Sequence, residues 1–145
     1  VLLGAEIATG IGGVFGVIFI GMLFSLIFVS LTTAIAMFTK DQEAMISIVT
    51  PIVFPLLFLS SAFLPLESLP SWVQTFATFN PVTYGVDAAR SVVLGENVMT
   101  MIEVTSFSGI WNTIIPAILV LLAFAFVLGG FAVFAIKRGT SSEVK

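Results

Sequence analysis

No cysteine and no histidine occur among the 145 residues. Their absence removes thiolate nucleophiles, disulfides, imidazole bases and most zinc or haem sites from the chemistry open to this chain. It leaves the redox compartment open. Charge is scarce as well. Asp, Glu, Lys and Arg make up 9% of the residues, against about 25% in a soluble domain. The five basic residues never stand more than two together, which argues against nucleic-acid binding. There is no Gly-x-x-x-x-Gly-Lys-Ser/Thr loop, so ATP cannot be bound and hydrolysed by that route. The long apolar runs carry no ionisable side chain, which leaves a proton- or sodium-coupled carrier without a relay. No internal repeat or low-complexity segment is present.

What the chain does have is apolar surface. Hydrophobic residues make up 59% of it, and mean hydropathy is +1.20. A soluble fold of this size could not hide so much, so the solvent is expected to be lipid and the fold class all-α integral membrane. Uncharged runs predict three spans, at about 11–38, 44–66 and 112–136, since about 20 apolar residues cross a bilayer core. Gly12, Gly16 and Gly21 place small residues on the first span, as a close helix–helix seam would. Lys40, Asp41 and Glu43 then interrupt the apolar pattern and predict a tight, solvated turn. Pro51 and Pro55 lie one turn apart in the second span. Each removes a backbone hydrogen bond, which predicts a kinked helix and makes the pair a candidate hinge. Lys137 and Arg138 stop the third span, and a polar tail from Gly139 is expected to be disordered. Val1 opens the chain inside an apolar run, which suits the C-terminal part of a longer protein.

The segment between the second and third runs differs from the rest. Trp72, Phe76 and Phe79 recur at helical spacing, and Trp favours the membrane boundary. Asn80 is a good helix N-cap, Pro81 suits the first helical position, and Gly95 can close the helix in a left-handed conformation. A helix over 81–94 follows, in a helical hairpin of about 68–94. Asp87 and Arg90 lie on one face of that helix, close enough to pair.

The wording Phe79-Asn80-Pro81-Val82-Thr83-Tyr84, followed by Asp87-Ala88-Ala89-Arg90, resembles the signature of type-2 ATP-binding-cassette (ABC) transporter permeases. Phe58-Leu59-Ser60-Ser61-Ala62-Phe63-Leu64-Pro65-Leu66 through Trp72 resembles the family segment just before it. The match is contiguous over roughly 51–95. The resemblance implies the C-terminal half of a permease of drug-resistance-exporter flavour. Its signature residues would be Asn80, Pro81, Tyr84, Asp87 and Arg90, in a re-entrant hairpin on the outer side. It further implies a second permease copy, identical or not, and a separate ABC ATP-binding subunit. That partner would bind the ATP, so this chain is expected to hold no cofactor and not to be an enzyme. Lys40, Asp41 and Glu43 would face the partner on the cytoplasmic side. The alternatives are a non-transporting membrane scaffold or assembly subunit and, further off, an intramembrane enzyme.

Sidedness has an independent argument. Three spans place Lys40, Lys137, Arg138 and Lys145 on one side. Basic residues mark the cytoplasm, so the hairpin is expected to face outward from the plasma (inner) membrane.

Overall fold

A computed structural model describes residues 8–63, 68–98 and 108–141, with side chains to residue 138. All regular structure among them is helical. The helices are α1 (Gly10–Thr39), α2 (Gln42–Phe58), α3 (Ser71–Thr78), α4 (Pro81–Leu94) and α5 (Trp111–Ser141). Two are long and apolar enough to cross a membrane: α1 over its whole length and α5 from Trp111 to Arg138.

α1 and α5 run parallel. Their first turns line one cavity, Gly12 and Gly13 facing Ile110 and Trp111. The last turn of α1 meets α5 where the Phe38 and Phe131 rings lie 5.9 Å apart. Between those ends, Ile20, Leu23 and Ile27 of α1 bury against Ala117, Leu121 and Ala125 of α5. A second small-residue contact joins Ala34 to Ala132 and Ala135. Alanine at these contacts lets the two backbones approach where larger side chains would otherwise hold them apart.

α4 lies in the groove of this pair, antiparallel to the first half of α1. Tyr84, Ala88 and Val92 complete the core. Gly85 sits against the Phe24 ring, and a Cβ placed on Gly85 would lie 2.9 Å from a ring carbon. Further along, Gly16 meets Val92, and the Thr9 hydroxyl donates to the Val92 carbonyl at 2.6 Å. Of the glycines expected in a seam, Gly16 alone has a neighbour within van der Waals reach. Gly12 and Gly21 face open space.

α2 returns along α1 after a two-residue turn. Lys40 takes a left-handed conformation (φ 53°), and its N–H closes on the Ala36 carbonyl. Asp41 then caps α2, its carboxylate accepting from the Ala44 N–H at 2.9 Å. The expectation of an uninterrupted span to residue 66 is corrected here. α2 runs through Pro51 and Pro55 but ends at Phe58, and 59–63 form turns. Residues 64–66 lie outside the described residues. The early stop has a tertiary cause. The free carbonyls at the end of α2 are taken by side chains from elsewhere, as set out below, so the helix has no need to continue.

The parallel course of α1 and α5 requires the chain between them to traverse the bundle once. It does so in two pieces. α2, about 25 Å long at 1.5 Å per residue, climbs from the Lys40 end to the level of Phe24. α4 climbs from that level to Thr9. With 17 and 14 residues they match the 30 of α1. Of the tail expected to be disordered, 139–141 instead continue α5 to Ser141, and 142–145 lie outside the described residues. Lys137 and Arg138 fall in its last turns, where cations favour a helix C-terminus.

Candidate functional site

The two halves of the broken crossing meet at Asn80. Its backbone is extended (φ −92°, ψ 116°), which aims the side chain back over the first turn of α4. Asn80 Oδ1 accepts from the Val82 N–H at 3.0 Å, and Pro81 follows as the first helical residue, where it forfeits no bond. The same side chain works in the other direction. Nδ2 donates to the Leu56 carbonyl at 2.6 Å and to the Leu59 carbonyl at 3.2 Å. The Ser60 hydroxyl donates to the Leu57 carbonyl at 2.6 Å, and the Leu59 N–H to the Pro55 carbonyl at 2.8 Å. A helix end leaves four carbonyls without intrahelical partners. In an apolar medium each is costly to leave bare. One asparagine thus starts α4 and finishes α2.

Further along α4 three more side chains hold neighbouring backbone. The Tyr84 hydroxyl donates to the Thr78 carbonyl at 2.8 Å, which closes the end of α3. Asp87 is buried and accepts from the Ser61 hydroxyl at 2.8 Å. Arg90 is exposed and donates to the Ala62 carbonyl at 3.3 Å. Asp87 and Arg90 therefore reach consecutive residues of the segment after α2. The sequence expectation stopped at a contact between the two of them. Ser60, Ser61, Asn80, Thr83 and Asp87 are all buried, and the Thr83 hydroxyl has no hydrogen-bond partner among the described residues.

The far end of α4 is fastened in the same manner. Gly95 is left-handed (φ 73°) and returns its N–H to Ser91. The Ser91 hydroxyl donates to the Glu96 carbonyl, and Thr113 of α5 donates to the Asn97 side chain, each at 2.6 Å.

Asn80, Pro81, Tyr84, Asp87 and Arg90 thus lie together on α4 and its N-cap. Pro51 and Pro55 lie beside them. With Leu56, Leu59, Phe76 and Phe79 they line an apolar groove of about 330 Å³ that ends at Asn80. Lys40, Asp41 and Glu43 stand apart. They are exposed at the other end of α2, at the end of the bundle that also carries Lys137 and Arg138. Sequence reasoning missed what Ser60, Ser61 and Thr83 do. The available signal was two adjacent hydroxyls inside an apolar stretch, since buried polar groups need partners.

The chemistry open to this cluster is mechanical. Its one carboxylate is engaged by a hydroxyl, and no group of three metal-ligating acidic side chains occurs among the described residues. Asn80, Tyr84, Asp87 and Ser61 use their polar atoms to join α2, α3 and α4.

Comparison with known proteins places this geometry. A family model described as ABC-2 type transporter matches residues 1–94. Nodulation protein J of Rhizobium leguminosarum bv. trifolii is 32% identical over 81 residues, covering 56% of this chain and 31% of that protein. A daunorubicin resistance ABC transporter permease protein of Streptomyces coeruleorubidus is 27% identical over 94 residues, covering 65% of this chain and 33% of that protein. The chain spans about a third of the length of these relatives. No solved structure matches it.

Proposed function

Since the chain belongs to the ABC-2 type transporter family, we propose that it is the C-terminal half of the permease subunit of an ATP-driven exporter. A separate ABC subunit would hydrolyse the ATP, and this chain would hold no cofactor. Two copies, identical or not, would frame the substrate path in the plasma (inner) membrane. In this reading α1 and α5 cross the bilayer whole. α2 and α4 make the remaining crossing in two pieces, and α3–α4 is a re-entrant hairpin. The Lys40 turn and the Lys137–Arg138 end face the cytoplasm, where basic residues collect. Lys40, Asp41 and Glu43 are exposed there and available to the ATP-binding subunit.

The observation that carries the reading is the pairing of a broken crossing with a joint whose helix ends are tied by Asn80, Ser61 and Tyr84. Non-helical backbone at membrane depth persists only where protein or a water-filled cavity covers it, and broken helices of this kind are a feature of transport pathways. The groove beside Pro51, Pro55 and Asn80 opens at that break. The test is reconstitution of the full-length permease with its ABC subunit in liposomes loaded with an amphiphilic dye. ATP-dependent dye movement across the bilayer is the expected result. A stable complex that moves no compound in a panel of drugs, lipids and glycans would favour the scaffold instead.

A further inference from the structure

α2 is held at both ends and bare in the middle. At its start, the two-residue turn at Lys40 and Asp41 ties it to α1, with the Asp41 cap in place. At its end, Asn80 grips two carbonyls and Ser61 grips Asp87. The helix that supplies those grips belongs to the core, since Tyr84, Ala88 and Val92 pack among α1 and α5 residues. The upper anchor is therefore set in the packed part of the bundle. Between the anchors, α2 buries none of its residues. There it also carries Pro51 and Pro55, and each proline deletes one hydrogen bond of the helix ladder.

A rod fixed at both ends cannot tilt as a whole. Its soft place is the stretch where the ladder is interrupted and where none of its residues is buried among the described residues. We propose that α2 moves by bowing at Pro51–Pro55 between two stationary ends, with Asn80 as the upper anchor. The bow changes the width of the groove bounded by Pro51, Pro55, Phe76 and Phe79. This rests on the permease reading, because ATP binding by a partner is what would drive the bow. It makes Asn80 a positioning residue. Asn80 holds the end of α2 still, so that bending is confined to the prolines and does not pass into the hairpin.

These 145 residues carry no cysteine, so once any cysteine elsewhere in the full-length protein is replaced, spin labels can be placed at chosen positions. In the full-length permease bound to its ABC subunit, three cysteine pairs would be measured by pulsed electron resonance, with and without trapped ATP. Phe58→Cys with Val93→Cys reports the upper anchor. Met37→Cys with Ile46→Cys reports the lower turn. Phe54→Cys with Val29→Cys reports the middle. All six positions are exposed. The expected result is two constant pairs and a middle pair that shifts by about 2 Å or more, beyond a small interface adjustment. In a background of Asn80→Ser and Ser61→Ala, the upper pair should broaden and the middle shift should shrink. A shift of the upper pair equal to that of the middle pair would mean that α2 tilts rigidly, and would overturn the proposal. So would a middle pair that stays fixed while others move. The cysteine pairs decide the matter in the otherwise unaltered protein even if the anchor variant does not fold. No shift in any pair on ATP binding would refute the permease reading itself, a separate outcome.

Discussion

Replacing Asn80 separates its two duties. Asn80→Ala removes both the cap on Val82 and the two bonds to α2. Asn80→Ser keeps a good N-cap oxygen but has no donor long enough to reach Leu56 and Leu59. A lost N-cap costs about 1 kcal/mol. Each lost carbonyl bond costs about 0.5–1.5 kcal/mol net, rising to about 1–3 kcal/mol where the group stays buried and unpaired. Asn80 is 3% exposed, so water reaches the vacated carbonyls poorly and the upper values apply. Serine should therefore cost about 2–6 kcal/mol, and alanine about 1 kcal/mol more. In a chain of this size each kcal/mol moves Tm by roughly 2–4 °C. Thermal unfolding of the three proteins in one mild detergent, followed by loss of the monodisperse peak, should rank them wild type, serine, alanine. A serine variant as stable as wild type would refute the claim that Asn80 terminates α2.

Three other outcomes are expected. Gly85→Ala should cost about 1–3 kcal/mol by overpacking, because its methyl would fall 2.9 Å from the Phe24 ring. Adding Phe24→Leu should recover part of that loss in the same unfolding assay, and no recovery would place the clash elsewhere. Pro55→Ala restores an N–H for the Pro51 carbonyl and should raise thermal stability while slowing ATP-dependent transport, if bending at that turn is part of the cycle. Faster or unchanged transport would count against a hinge there. Finally, Lys40→Cys and Glu96→Cys should react from opposite faces of the membrane. An impermeant maleimide applied to intact cells should label the Glu96 variant and reach the Lys40 variant only after permeabilisation.

Much of the architecture was legible from local chemistry. α1 was readable because nothing charged interrupts 7–39, and α4 because Asn80-Pro81 and Gly95 punctuate it at both ends. The Lys40–Glu43 turn was visible as charge in a chain that has little. The end of α2 was not legible. Apolar residues continue past Phe58, and the stop depends on Asn80, 24 residues away from the Leu56 carbonyl it binds. Hydrophobic periodicity carries no record of such a tertiary bond. The partners of Asp87 and Arg90 escaped for the same reason. Sequence spacing offers only neighbours on the same helix, whereas their observed partners are the Ser61 hydroxyl and the Ala62 carbonyl. A polar composition after Arg138 predicts disorder, whereas α5 continues to Ser141. The last turns of a long helix are stabilised by the turns before them and by cations near the end.

The account stands on this chain working as a permease with a separate ATP-binding partner. The most direct measurement is to tag the full-length protein after Lys145, recover it from native membranes in mild detergent, and identify what accompanies it. Recovery of an ABC ATP-binding subunit in roughly equal amount is the predicted result. Clean recovery of the permease without any ATP-binding subunit, from membranes where such subunits are present and intact, would contradict it.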